Sequence, residues 1–249
     1  MVRANTPERF LHDYFGAAMP PLPAETAARL ALADPIPAGA RDSVFAALPP
    51  DHRRLLDLAN GLDLLGGSYR LFGLGPGASR DLRGWNAPGE WKFAWGGRAD
   101  PWLCFGESAL GHQYAYPIAE IEQGDRCPVS ELFVATLEPV VTYPSFRAFL
   151  VDGFLAGIHE DAYHQRIRSI RQQMGVVPLD KQVAYMPSPL LTGGRTDVQN
   201  LVPLDARAAM IINGDLYRQL AHRDSLDGLQ RVETYRDDMG RERLLCVFA

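Results

Sequence analysis

The chain has 249 residues, of which 47% are apolar, so it can bury the core of one large domain or of two modest ones. Its 25 basic and 30 acidic residues give a net charge of −5, which argues against direct nucleic-acid binding because a general attraction to phosphate is missing. The three cysteines are widely spaced and form no CxxC pair, which argues against a disulfide framework or a zinc knuckle.

The N-terminal segment, MVRANTPERFLHDYFG, lacks the apolar run of a signal peptide. Nowhere in the chain do 18 uncharged apolar residues occur together, so no membrane span is predicted. These two observations predict a cytoplasmic protein.

Three segments near the N-terminus carry helix signals. The motif TPERFLHDY predicts a short helix that begins at Pro7, because threonine and proline are typical of a helix start. A second, shorter helix is predicted near Glu25–Leu32, inside a connection rich in Pro, Gly and Ala. Residues 48–62 have leucines at helical spacing after two prolines, and Gly61 marks the C-terminal stop.

The middle of the chain predicts strands. Residues 68–74 alternate in the manner of a strand, and a long Gly/Pro/Trp-rich stretch at 75–101 predicts an ordered loop with short strands. Segments 102–105 and 112–118 flank the turn sequence GESALG and predict an antiparallel hairpin. A further strand is predicted at 132–136.

Helices and a terminal hairpin are predicted for residues 145–249. Residues 145–155 follow a serine cap with phenylalanines on one side, and 163–174 and 204–220 also show helical spacing. The chain ends with QRVETY and RLLCVFA around a turn, which predicts a hairpin. The predicted fold is α+β, with a mainly antiparallel sheet flanked by helices in residues 1–155. Residues 156–249 are predicted to be a helical extension with a terminal β-hairpin, packed on the first domain.

The order of four segments resembles that of the SUKH superfamily. The segments are LPPDHRRLLDLANGL, SYRLFGL, WLCFGESALGHQYAYPI and YPSFRAFLVDGF. That family has an amphipathic helix ending in Asn-Gly, an aromatic-Gly strand, a Phe-Gly before an aromatic strand, and a Phe-rich last helix. The resemblance covers about residues 1–155. It implies an α+β domain and, as for many bacterial members, an immunity protein that neutralises a toxin.

Residues 185–220 resemble the C-terminal region of immunity proteins paired with DNase effectors of type VI secretion. An apolar-proline stretch, a Gly-Gly, an Asn-Leu and an apolar helix occur there in the same order. Together the two resemblances imply a protein that binds and occludes a cognate secreted bacterial effector, such as a nuclease. A non-toxin cytosolic adaptor of the same fold and, less favoured, a small enzyme remain open alternatives.

The sequence offers no catalytic constellation. His159 and His164 lie five apart on a predicted helix and do not converge as a metal pair would. Glu107 and His112 flank the GESALG turn and could form an acid/base pair, but no nucleophile or oxyanion motif adjoins them. The segment GLGPG at 73–77 lacks the features of a phosphate loop. We therefore predict no enzyme activity, no cofactor and no metal.

Surface features suggest where a partner would bind. Residues 1–160 hold 13 basic and 19 acidic residues, and this part carries the net negative charge of the chain. Tryptophans are typical interface anchors, and acidic residues steer a basic partner such as a nuclease. The alternative is that the tryptophans belong to the core and the acids only solubilise the surface. The oligomeric state stays open. The predicted interface residues are Trp85, Trp91, Trp95, Glu107, Glu120, Glu122, Asp125 and Glu131.

Overall fold

Seven antiparallel strands form the main sheet, and each strand pairs with its neighbours in sequence. The computed structural model describes residues 6–22, 27–78, 80–155, 162–191, 196–223 and 225–249. The strands of the main sheet are β1 (Leu30–Leu32), β2 (Leu62–Leu64), β3 (Tyr69–Leu71), β4 (Trp102–Ser108), β5 (Gln113–Pro117), β6 (Val129–Leu132) and β7 (Pro139–Tyr143). This arrangement confirms the predicted α+β fold with a mainly antiparallel sheet.

Two smaller sheets lie in the C-terminal part. They pair β8 (Lys181–Tyr185) with β9 (Leu201–Asp205), and β10 (Leu229–Arg236) with β11 (Glu242–Phe248). The helices are α1 (Pro7–Phe15), α2 (Ser43–Ala47), α3 (Pro50–Leu58), α4 (Leu82–Asn86), α5 (Phe146–Ala148, continuing as a π-helix over Phe149–Leu155), α6 (Ala162–Met174) and α7 (Ala206–Leu220). Short 3₁₀ segments occupy Gly16–Ala18, Ala38–Ala40, Lys92–Trp95, Ile118–Arg126 and Val198–Asn200. None of the helices in the described part of the chain has both the length and the apolar character needed to cross a bilayer.

Several predicted elements differ from the structure. The helix predicted near Glu25–Leu32 is wrong at its end, since Leu30–Leu32 pairs with β2, and residues 23–26 lie outside the described residues. The strand predicted at 132–136 is shifted, because the chain turns after Leu132. The loop predicted at 75–101 contains α4 and a 3₁₀ turn in place of short strands. The local pattern at Leu30–Leu32 does not indicate a strand because its partner, β2, is distant in sequence.

An aromatic layer packs between α3, α5 and the main sheet. Phe105 and Tyr116 stack with ring centroids 4.4 Å apart, and Phe146 and Phe149 pack edge-on against Phe105. His52 of α3 stacks on Phe146 at 4.4 Å. The aromatic residues predicted for the last helix of the first part therefore face the core.

His52 is an ionisable residue inside this layer. Its Nδ1 shares a hydrogen bond with the Tyr116 hydroxyl at 3.1 Å, and its Nε2 has no partner among the described residues. Burial lowers the pKa of His52 to about 3. The ring is therefore neutral in the folded protein at every pH at which the protein is normally handled.

We expect His52 to make the protein sensitive to mild acid. The unfolded chain takes up the proton near pH 6.5, while the folded chain resists it down to about pH 3, so stability is complete above pH 6.5 and falls below it. One such proton costs about 1.4 kcal/mol of unfolding free energy per pH unit. Urea unfolding between pH 6.5 and 5 should show this slope lost in His52→Gln and kept in His222→Gln, which changes an exposed histidine. Parallel curves for wild type and His52→Gln would contradict the assignment.

The N-terminal and C-terminal parts are in contact through buried polar bonds. Arg70 of β3 is 1% exposed and donates to the carbonyl oxygens of Pro178 at 2.8 Å and Lys181 at 3.1 Å. Trp95 donates from its Nε1 to the carbonyl oxygen of Met210 in α7 at 3.0 Å. The predicted packing of the C-terminal part on the first part agrees with these contacts. The boundary predicted at residue 155 adjoins residues 156–161, which lie outside the described residues, and the division into two domains stays a prediction.

Candidate functional site

A cavity of about 600 Å³ opens where the β6–β7 turn meets the C-terminal part. Its walls come from residues 133–136 of that turn, residues 183–185 of β8 with the adjacent Met186, and Ile212 and Asn213 of α7. Most of these side chains are apolar. A cavity of this size with an apolar lining and a few polar groups has the general form of a binding site.

A few polar groups reach the cavity wall. His112 lies with its Nδ1 3.2 Å from the Glu131 carboxylate, which fixes the ring at the end of β5. The Tyr185 hydroxyl is buried and has no hydrogen-bond partner among the described residues. Arg166 and Asn213 add further hydrogen-bonding groups. Because the Tyr185 hydroxyl oxygen is buried, the cavity does not present it to a ligand.

The cavity has an apolar rim. Phe133 is 38% exposed and Met186 is 43% exposed, and both side chains line the cavity as well as face solvent. The Phe133 ring packs edge-on against His112 with centroids 5.1 Å apart. The rim therefore offers aromatic and thioether surface next to a concave site.

β7 is the last strand of the main sheet, and among the residues that the structure describes its far edge pairs with no other strand. Val140 is 54% exposed and Val141 is 43% exposed, although neighbouring residues of one strand point to opposite faces. Pro139 pairs with Leu132 next to the cavity rim, and Tyr143 pairs with Val129 at the far end. Burial, with Glu131 and Asp152 nearby, raises the pKa of Tyr143 to about 12. The cavity rim and the open edge thus form one continuous surface.

The three tryptophans predicted as anchors are core residues. Trp85, Trp91 and Trp95 are between 0% and 4% exposed. Trp85 donates from its Nε1 to the Gln113 side-chain oxygen at 2.8 Å, and the Trp95 ring fills the space beside Gly214. Because these rings offer almost no surface to a partner, the prediction that they anchor an interface is wrong.

Glu107 is also misplaced by the sequence prediction, because it is buried. Its Oε2 accepts from Arg80 at 3.0 Å and from the Gln182 amide at 2.6 Å, and its Oε1 lies 3.5 Å from Arg70. This carboxylate neutralises a buried pair of guanidinium groups. It therefore cannot act as an exposed steering charge.

The other four predicted acids are divided between the two ends of β5 and β6. Glu131 lies at the cavity end, paired with His112. Glu122 and Asp125 are exposed and Glu120 is half-buried on the 3₁₀ segment at the opposite end. Asp125 also accepts a hydrogen bond from the Asp51 backbone at 2.8 Å. The structure does not bring the eight predicted residues together into one patch.

The catalytic alternatives find no support in the geometry. Glu107 and His112 bond to different partners and do not form an acid/base pair. Burial raises the pKa of the Cys104 thiol to about 12, so this thiol is not activated. Residue His159 and the side chain of His164 lie outside what the structure describes. Within the described ranges, no group of three or more His, Cys, Asp or Glu side chains is placed to hold a metal ion.

Sequence reasoning missed the cavity and the open edge. The run PVVTY at 139–143 is rich in β-branched residues and could have been identified as a strand. Tyr185 is the last residue of β8, which depends on pairing with the distant β9, and Met186 follows it outside the strand. The strand predicted at 132–136 contains Phe133, whereas the structure places this residue at a turn beside the cavity.

Comparison with known proteins gives little further information. No protein-family model matches the chain, and no curated protein matches it. Among solved structures, the crystal structure of Atu4351 from Agrobacterium tumefaciens is similar over 86% of this chain and 92% of that one. The TM-score is 0.47 and the sequence identity is 14%. The SUKH resemblance stays a prediction.

Proposed function

We propose that this chain is a protein-binding protein that neutralises a secreted bacterial effector by holding it at the β7 edge and the neighbouring cavity. The observation that carries this proposal is the continuity of an open, apolar edge strand with a cavity whose rim is exposed Phe133 and Met186. The motif order that resembles the SUKH superfamily supports a toxin as the partner. A partner-binding role without a toxin is the remaining alternative.

The edge strand supplies one half of the proposed contact. An open strand presents unpaired peptide groups, and an extended segment of a partner can add to it as a further strand. Backbone hydrogen bonds then provide affinity, and the side chains of Val140 and Val141 provide contacts on both faces of the added strand. Neither valine carries a charge that would oppose such pairing.

The cavity supplies the other half. At a protein interface, most of the binding free energy comes from a few buried side chains that fill pockets, and many of these side chains are aromatic. A bulky apolar side chain of the partner would lie between Phe133 and Met186. Exposed Glu122 and Asp125, at the other end of the sheet, would speed association with a basic partner such as a nuclease.

Blocking the edge should abolish partner capture. The double variant Val140→Lys/Val141→Lys places two positive charges on the edge that a partner strand must approach. The binding free energy should therefore weaken by about 2 kcal/mol or more. Both residues are exposed, and the fold should be unaffected. We would compare proteins captured by wild-type and variant baits from the native host, and then co-express each lost protein with and without this chain to measure toxicity.

Met239→Lys provides the matched control, because Met239 is an exposed apolar residue in the terminal hairpin turn, away from β7. It should retain the captured protein. Retention of a confirmed toxin by the Val140→Lys/Val141→Lys variant would place the interface elsewhere. Loss of a captured protein that is not toxic would leave the surface assignment standing and reject the toxin assignment.

A further inference from the structure

The terminal hairpin has one covered edge. In α7, Asp215 accepts a hydrogen bond from the Leu244 N–H at 2.9 Å through its Oδ2. Gln219 accepts from the Cys246 N–H and donates to the Leu244 carbonyl oxygen, both at 2.9 Å. These two side chains occupy the positions that the peptide groups of a third strand would take beside β11.

The opposite edge of the hairpin, along β10, is open. β10 has eight residues, and most of them are exposed. The Asp237 N–H donates to the Arg241 carbonyl oxygen at 3.0 Å, and the alternation of an antiparallel ladder therefore turns the peptide groups of Val232 and Thr234 away from β11. The described part of the chain provides no hydrogen bond to these outward groups. An open strand of this length can pair with another strand.

We propose that β10 pairs antiparallel with β10 of a second copy of this chain, about a two-fold axis at Val232. In this register Val232 faces Val232 of the second copy, and Arg231 faces its Glu233. Glu233 in turn faces Arg231 of the second copy, so the contact contains two opposite-charge pairs. Both pairs fall at positions without ladder hydrogen bonds, where side chains of facing strands approach most closely.

The charges select this register over its neighbours. A ladder centred on Glu233 would set Glu233 against its own copy, and facing like charges are destabilising. A ladder centred on Thr234 would set Arg231 against Asp237 but would leave Glu233 facing Tyr235, which carries no charge. Arg231 and Glu233 already form an ion pair within one chain, with Arg231 Nε 2.9 Å from the Glu233 carboxylate. Of these three registers, the one at Val232 sets both residues opposite a charge of the other sign, so the four side chains form one alternating cluster.

Pairing also completes an incomplete sheet. A two-stranded sheet is marginal in water, and this one relies on α7 behind it, where Leu216 and Leu220 pack against Val232 and Leu244. Two copies would form one four-stranded sheet across the axis. The surface is distinct from the β7 edge, so the inference does not depend on the proposed effector partner.

Sedimentation equilibrium of the full chain tests the inference by charge exchange. The wild type should form dimers, and the single variants Arg231→Glu and Glu233→Arg should each weaken dimerisation at least about tenfold, because two attractive pairs become repulsive. The double variant Arg231→Glu/Glu233→Arg restores opposite charges and should restore the dimer. Circular dichroism should be the same for all of these chains.

Arg236→Glu is the control, because Arg236 lies on the same strand but faces no charge in this register. It should dimerise as the wild type does. The inference is overturned if the wild type is a monomer at all concentrations, if the single variants dimerise normally, or if the double variant fails to recover. Capture of a different protein by β10, lost in Arg231→Glu, would also overturn it.

Discussion

Arg70→Met is expected to lower the free energy of unfolding by about 3–5 kcal/mol, the range seen when one member of a buried charged group is removed. The guanidinium is buried, lies 3.5 Å from Glu107, and bonds to the backbone carbonyl oxygens of Pro178 and Lys181. Methionine fills similar volume but donates no hydrogen bond. The variant therefore leaves carbonyl groups unbonded in a site that excludes water.

Arg41→Met is the matched control for this experiment. Arg41 also forms an ion pair, with its Nη2 2.7 Å from Asp57, but both side chains are exposed. Exposed pairs contribute about 1 kcal/mol or less. Urea unfolding followed by circular dichroism should separate the two variants, and equal losses would show that burial of Arg70 adds nothing.

Trp95→Ala should also be strongly destabilising, by about 3–5 kcal/mol, as expected when a large core side chain is truncated. The ring is buried against Gly214, where an added Cβ would lie 2.8 Å from the ring carbon Cδ1, and it stacks with Tyr217 at a centroid distance of 5.8 Å. Truncation removes these contacts and the hydrogen bond to Met210. Helix α7 and the 3₁₀ turn that contains Trp95 would then lose the ring that packs between them.

The comparison variant is Phe133→Ala, which truncates an exposed aromatic residue. Its cost in unfolding free energy should be about 1 kcal/mol or less. Thermal and urea unfolding of both variants would distinguish a core residue from a surface residue. If Trp95→Ala unfolds no more easily than Phe133→Ala, the packing role assigned to the Trp95 ring is rejected.

The parts of the fold that could be predicted are segments in which apolar residues recur at helix or strand spacing, so that one face is buried. The helix predicted at 48–62, the hairpin spanning 102–118 and the helix predicted at 204–220 have this character. The structure has helices at Pro50–Leu58 and Ala206–Leu220 and pairs β4 with β5, but Leu62 and Leu204 lie in strands β2 and β9. The buried position of Trp95 could not be predicted, because a tryptophan side chain suits either a core or an interface. Its neighbour Gly214 is more than a hundred residues away along the chain.

Most of the candidate site could not be predicted from the sequence. The cavity joins the turn at 133–136 to β8 and α7, and no local pattern reports such an approach. Glu107 was predicted as a surface charge because acids are usually solvated. Its burial depends on Arg70, Arg80 and Gln182, and only the folded chain brings those three together.

The contacts of Arg70 also impose an order on folding during synthesis. The main sheet is complete in sequence once Tyr143 has been made, but the carbonyl oxygens that receive the Arg70 guanidinium lie 107 to 111 residues after it. At about 5–20 residues per second, a ribosome needs roughly 5–20 s to supply them. Until then this side chain and Glu107 must stay hydrated. A nascent chain that ends before Lys181 should therefore be cleaved by proteases more readily than the finished protein.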